Sequence, residues 1–394
     1  MQLRTWSPND VQEKRVMLRV TLDVHYRLEG TELVVEDDAR IRAIIPFVQQ
    51  LIGLKSKVIL LSWLQRPKGK VDEQLRMAPV GKRLQELLGR NVIVLKECIG
   101  EGVRKAIDDA PAGSVLLLEN VRFHPGEDQN DPLFARELSR NADLFLNDAF
   151  GQSHRKAASI IGIPKFIPSF AGPSLQREVE VLSGMLENPQ RPFVAIIGGA
   201  KISTKLGVIN TLLQKADNVL LGGALANTVL RAQGVQIGAS LVEDKVLANA
   251  KDLPLTDPRL HLPVDVIVAK EATVEAPTRR CAVGKVQMDE RILDVGRDTT
   301  ELFRNVVSTA KTVVWNGPMG YFELEKFAEG TDEIARTLSN LSSATTIVGG
   351  GETVASIRRL KLEDKMTFVS MGGGAMLDFI EQGTLAGIEP LRIS

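Results

Sequence analysis

Cysteine is nearly absent from this sequence: Cys98 and Cys281 are the only two among 394 residues. A disulfide-stapled scaffold is therefore excluded, and no Cys/His spacing of a zinc motif is present. Neither sign of charge is in excess, because 49 Lys and Arg balance 49 Asp and Glu. That argues against a protein that coats nucleic acid or an anionic membrane, although a local basic patch is compatible with neutrality. No apolar run approaches the ~18–20 residues that span a bilayer. The first fifteen residues lack the apolar core of a signal peptide. A reducing cytosol is the expected compartment. Three motifs are also missing. Without G-x-x-x-x-G-K-[ST] the chain is not a P-loop NTPase, and without G-x-G-x-x-G after a first strand a Rossmann dehydrogenase is disfavoured. There is no G-x-S-x-G hydrolase elbow either.

What is present is a globular composition, 44% hydrophobic and 25% charged. At ~150 residues per domain the length suggests two or three domains. Short Val/Ile/Leu runs recur throughout. In the first half they are 15–24, 57–62, 92–95, 114–118 and 144–147. In the second half they are 192–197, 218–221, 265–269, 312–315, 345–348 and 367–370. Most lack polar alternation, as strands do when both faces of a parallel sheet are covered. Helical patterns such as Val80–Leu88 and Thr331–Leu341 lie between them, so the fold class is α/β. Leu175, Val179, Leu182 and Leu186 fall on one helical face, bracketed by Gly172-Pro173 and by Pro189 and Pro192. This predicts a linking helix over 174–190, between a domain at 1–173 and another from 191.

Open α/β sheets bind ligands beyond the carboxyl ends of their strands. In the first half those ends carry Asp23, Arg66, Arg122, Asn147 and Asp148, with His154 and Arg155 soon after. One such arginine is most often a surface ion pair. Several at equivalent positions suit a small anion, most simply a phosphorylated one. In the second half the ends carry glycine: I-I-G-G-A-K, L-L-G-G-A-L, W-N-G-P-M-G, V-G-G-G-E-T and S-M-G-G-G-A. A single Gly pair is an ordinary βα turn, but five point to backbone N–H groups set close to a nucleotide. Gly199, Gly223, Asn316, Gly350 and Gly351 belong to these turns. Lys201 and Lys205, at i and i+4, read as one helical face reaching a polyphosphate. Glu352 reads as a Mg2+ carboxylate or a first-turn acid. A basic domain and a glycine-lined one suggest phosphoryl transfer across a cleft, which depends on positioning and charge stabilisation.

From about Lys14 onward the sequence closely resembles the phosphoglycerate kinase family. The resemblance is carried by R-V-M-L-R-V-x-L, D-D-A-R-I-R-A, R-P-K-G, A-P-V-x-K-R-L, L-L-L-E-N-V-R-F-H and N-D-A-F-G-x-S-H-R. It continues through E-N-P-x-R-P-F-V-A-I-I-G-G-A-K-I-S, L-P-V-D, V-V-W-N-G-P-M-G and G-G-G-E-T to G-G-G-A. It implies two Rossmann-like three-layer domains with parallel sheets facing across a cleft, the second at 191–376, with 377–394 returning to the first. It implies transfer between 1,3-bisphosphoglycerate and ADP, with Mg2+, by a monomer that takes small molecules and binds neither nucleic acid nor membrane. Arg40 would stabilise the transferring phosphoryl group. Arg66, Arg122 and Arg155 would hold the non-reacting phosphate, beside His154. Lys201 and Lys205 would bind nucleotide phosphates and the transferring group. Glu323 would take the ribose, and Gly350, Gly351, Glu352 and Thr353 the nucleotide phosphates and metal, where the family has Gly-Gly-Asp-Thr.

Departures from the family cluster at the acid site. R-V-D-F-N-V-P is here R-V-T-L-D-V-H, placing Thr21 and Asp23 where the family's Asp and Asn contact the glycerate. S-H-L-G-R-P is here S-W-L-Q-R-P, so Trp63 replaces a histidine, and Ala157 replaces another. Thr204, Met371 and Met376 depart near the nucleotide. If Thr21 and Asp23 sit on a strand they share a face, and the surviving carboxylate has moved about 7 Å along it. The arginines and both lysines are retained. Three readings follow: a kinase with a remodelled acid pocket, the same chemistry on a different phosphorylated acid, or a nucleotide-binding homologue with little catalysis.

Overall fold

Strands without polar alternation need apolar cover on both faces. The chain meets that need twice in the computed structural model, which describes every residue except Asp252, Leu255 and Ser394. It divides into a first unit, Met1–Glu180 with Thr384–Ser394, and a second, Val181–Gly383. The first unit holds a parallel six-stranded sheet. Its spatial order is Val92–Val94, Val115–Leu117, Lys57–Leu61, Arg15–Arg19, Leu144–Asn147 and Ser169–Ala171. Alternate residues feed opposite cores: Val16, Leu18, Val58 and Leu60 on one face, Met17, Ile59 and Leu61 on the other. The second unit holds another parallel sheet of six, ordered Leu260–His261, Asn218–Leu221, Phe193–Ile197, Thr312–Asn316, Thr345–Gly349 and Phe368–Ser370. Its order reverses between Phe193–Ile197 and Thr312–Asn316, and such a reversal opens a crevice at the carboxyl ends. In the first unit the reversal falls between Arg15–Arg19 and Leu144–Asn147.

Two expectations change. The strand expected over 15–24 ends at Arg19, and the Val24 N–H turns back to the Leu22 carbonyl at 3.0 Å. Thr21 and Asp23 thus lie past the ladder, and the 7 Å strand displacement has no strand to act along. Their alternation survives only as burial, with Leu22 and Val24 in the core and Thr21 and Asp23 half-exposed. Asp265–Ala269 is a strand, but it pairs antiparallel with Arg279–Ala282 and Arg291–Val295 in a separate small sheet. The edge of the parallel sheet is instead Leu260–His261, too short to leave a hydrophobic pattern.

The helix Pro173–Glu187 runs through the division between the units. Asp148 holds its start, accepting from the Ser174 N–H at 2.6 Å, the Ser174 hydroxyl at 2.8 Å and the Leu175 N–H at 3.1 Å. The segment after Gly383 returns to the first unit. Leu3 and Arg392 form an antiparallel bridge, the Arg4 N–H reaches the Leu391 carbonyl at 2.7 Å, and Asn147 Nδ2 donates to the Gly387 carbonyl at 3.2 Å. Among the described residues no helix is long and apolar enough to cross a membrane.

Candidate active site

Three glycine turns of the second unit interlock at its sheet reversal. The Gly198 N–H reaches the Asn316 carbonyl at 2.9 Å, Gly199 reaches Pro318 at 2.8 Å, and Gly223 reaches Met319 at 2.9 Å. A Cβ on Gly223 would stand 2.6 Å from the Gly199 nitrogen, and the φ of Gly223 is +65°, so only glycine fits without strain. A cavity of about 220 Å³ opens beside these turns. Gly199 and Gly223 form one side, apolar Val266, Ile292 and Leu293 another, and the exposed carboxylates of Glu323 and Glu352 lie on its wall. Apolar side chains next to glycine backbone and carboxylates able to accept from hydroxyls suit a nucleoside.

The lysines are not equivalent. The helix expected to carry both begins only at Leu206, so Lys201 and Lys205 belong to the preceding turn and share no helical face. Lys201 points to solvent. Lys205 is largely buried, and its Nζ donates to the Gly198 carbonyl at 2.6 Å and to Asn316 Oδ1 at 3.1 Å. Burial pulls this ammonium down to about 8, opposed by the charge of Glu352. Asn316 Nδ2, buried next to Gly350, has no partner among the described residues, and a ligand oxygen would satisfy it. Gly350, at φ +96°, precedes the helix Gly351–Arg359 and lets Glu352 ride its first turn. Thr353 is fully buried, and its hydroxyl accepts from the Gly317 N–H at 2.7 Å. It ties two turns together.

In the first unit Arg66, Arg122 and Arg155 come from three different strand ends to one cavity of about 450 Å³. Lys68 and Lys156 join them, against the single carboxylate of Asp128. Arg122 is fixed by its Nη1 donating to the Gln65 carbonyl at 2.7 Å and its Nε to Asp128 at 3.2 Å. Five cations around one small space describe a site for a multiply charged anion.

The wall behind Arg122 is a stack. Trp63 is buried with the Arg122 guanidinium 3.9 Å from its ring centroid and that of Arg19 4.4 Å away. Each cation meets a π-face, although the two charges repel each other. Arg19 Nε donates to the Ser159 hydroxyl at 3.0 Å, which donates to buried Glu127 at 2.6 Å. Burial pulls Arg19 down to about 10 and pushes Glu127 up, each resisted by the other's charge. Asp23 accepts the Gln65 N–H at 2.8 Å, where Gln65 holds a φ of +50° at a position that is glycine in the family pattern. Arg40, exposed near the start of the helix Ala39–Gly53, donates to the Asp23 carbonyl. None of Trp63, Asp23, Arg40, Thr21 and half-exposed His154 lines the arginine cavity itself, and Trp63 and Asp23 brace it from behind through Arg122 and Gln65.

Sequence reasoning missed Lys68 and Lys156, which no motif marks as ligands, and Asp294. Asp294 lies on the second unit's cavity wall, almost fully buried, accepting from the Val295 N–H at 2.8 Å and the Gly330 N–H at 3.0 Å. Burial pushes it up to about 8. A lone acid inside the apolar run R-I-L-D-V was its signal.

The family model described as phosphoglycerate kinase matches residues 7–383. The phosphoglycerate kinase of Pelotomaculum thermopropionicum is 45% identical over 398 residues, covering 99% of both chains. That of Rubrobacter xylanophilus is 46% identical over 392 residues, covering 99% of this chain and 98% of its own. Among solved structures, phosphoglycerate kinase from Coxiella burnetii superposes with a TM-score of 0.86 at 37% identity, covering 99% of this chain and 98% of that one. The structure from Pyrococcus horikoshii gives 0.83 at 28% identity, with 97% and 96% covered.

Proposed function

The chain belongs to the phosphoglycerate kinase family, and on that premise we propose how its residues divide the reaction. It is a phosphotransferase that exchanges a phosphoryl group between 1,3-bisphosphoglycerate and ADP. The first unit takes the phosphorylated acid and the second takes the nucleotide. The observation that carries this division is the contrast between five cations around one cavity and interlocked glycine turns around the other.

Arg66, Arg122 and Arg155 would hold the non-reacting phosphate, with Lys68 and Lys156 adding charge. Trp63 acts as a positioning residue, holding the Arg122 guanidinium flat by stacking. Glu323 would accept from the ribose hydroxyls. Lys205, already directed at the glycine turns, would exchange its protein acceptors for phosphate oxygens. Lys201 would follow from solvent. Arg40 would neutralise charge on the transferring group, whose transfer asks for positioning and electrostatics more than for covalent chemistry.

Mg2+ fits the residues present, since one exposed carboxylate beside a phosphate-binding turn is its usual protein share. Glu352 would hold it, and when bound the ion neutralises charge on the nucleotide phosphates. The family reading also carries a glycolytic setting, a cytoplasmic place of action and a monomeric state, the last open to light scattering. Retention of the arginines and of Lys205 favours the three-carbon acid over a different one. A coupled assay with ATP, Mg2+ and 3-phosphoglycerate tests the reading. Turnover with another phosphorylated acid but not this one would transfer the assignment to that acid.

A further inference from the structure

Three side chains of the first unit that phosphoryl transfer does not use converge on one point. Glu97 and Cys98 follow the strand Val92–Val94, and His124 follows the turn Val121–Phe123. One donor atom from each lies within 4.8 Å of the other two. Glu97 Oε2 is 3.0 Å from His124 Nε2. Cys98 is fully buried, whereas the side chains of His124 and Glu97 are 28% and 48% exposed. The sulfur thus lies at the bottom of the group and the other two donors lead out to solvent.

We propose that Glu97, Cys98 and His124 bind a divalent transition-metal ion of the zinc class, with a fourth position left to water. The donor set decides the class of ion. A thiolate, an imidazole and a carboxylate are zinc's own ligands, whereas Mg2+ and Ca2+ take oxygen throughout. The charges close as well, because one thiolate and one carboxylate neutralise the ion. On binding, the sulfur–metal bond forms as the S–H proton leaves to solvent, and the Glu97–His124 contact opens to admit the ion.

The surroundings hold these ligands from behind. Asn141 Nδ2 donates to the Cys98 carbonyl at 2.9 Å, and the His124 ring stacks on Phe134 with centroids 5.0 Å apart. Such outer contacts orient ligands and tune affinity. Cys98 and His124 come from separate loops, so no short motif announces them. The sequence's lack of a zinc spacing and this spatial cluster are therefore compatible.

The test uses the full chain and Co2+ as a spectroscopic probe, with Zn2+ as competitor. The expected result is one equivalent of Co2+ giving a thiolate-to-metal charge-transfer band, displaced by Zn2+ and not by excess Mg2+. The band should vanish in Cys98→Ser and persist in Cys281→Ser. Glu97→Gln and His124→Asn, both partly at the surface, should each weaken Zn2+ binding at least about tenfold, the smallest loss typical even of outer-shell partners. No charge-transfer band in the unaltered protein, or one that disappears with Cys281 instead, overturns the proposal. So does unchanged Zn2+ affinity in Glu97→Gln.

Discussion

The first unit presents its ligand-facing charge on side chains, five cations from three loops, whereas the second presents backbone, three glycine turns in mutual contact with one buried lysine among them. The difference teaches how freely each site can be rewritten. Side chains can be exchanged so long as others hold them, and the first unit has done this with Trp63 and Asp23. A backbone cradle has no such freedom, because a Cβ at Gly223 would strike the Gly199 nitrogen. Apart from Glu352 for the family's Asp, the departures near the nucleotide are accordingly at its margin, as with exposed Met371, or behind it, as with Met376 buried against Gly349.

The largest expected effect tests the charge side. Arg40→Ala should lower turnover by about 10³ or more, the scale at which a cation acts on a transferring phosphoryl group, with nucleotide KM nearly unchanged. A variant that keeps most of its turnover removes Arg40 from the reaction. Next comes the backbone side. Gly223→Ala forces a left-handed residue against a neighbouring turn, and strain of about 1–3 kcal/mol should raise nucleotide KM roughly 5- to 150-fold. The glycerate KM should stay put, and a parallel rise in both would break the division of labour.

Trp63→Leu should move the other constant. Losing two stacked guanidiniums at about 0.5–2 kcal/mol each frees Arg122, so glycerate KM should rise several-fold or more while nucleotide KM holds. Melting temperature should fall as well. If only the melting temperature changes, Trp63 is core and not a positioning residue. The smallest effect is a fraction of a proton. Lys205, held down to about 8 by burial, should be pushed back up by nucleotide phosphates. Binding should then take up a proton above roughly pH 8, toward the ordinary lysine value near ~10.4, and affinity should fall as pH rises through that window. Calorimetry in two buffers of different ionisation heat measures it, and Lys205→Met should abolish it.

The sheets were legible because continuous Val/Ile/Leu runs have one comfortable environment, and the glycine turns because nothing else tolerates their contacts. The arginines at 66, 122 and 155 were legible from topology, since equivalent strand ends meet. What sequence could not show is coupling between distant residues. Thr21, Asp23 and Trp63 read as three separate substitutions, yet Asp23 holds the N–H of Gln65, whose carbonyl holds Arg122, which lies on Trp63. Changing back any one member therefore disturbs the rest. Lys201 and Lys205 look alike at i and i+4, and only the late start of the helix at Leu206 separates solvent from interior. Thr353 sits inside a ligand motif and spends its hydroxyl on Gly317.

The bridge between Leu3 and Arg392 has a consequence for the order of events on the ribosome. The first unit begins before the second and is completed after it, so its opening segment waits for a partner made much later. About 200 residues separate Glu180 from Thr384, and synthesis at roughly 5–20 residues per second makes that a delay of about 10–40 s. During that interval the second unit is made, while residues 2–4 lack the backbone partners that Leu391, Arg392 and Ile393 supply. Nascent first-unit chain is thus the segment that most needs shielding, until residues 391–393 have been made.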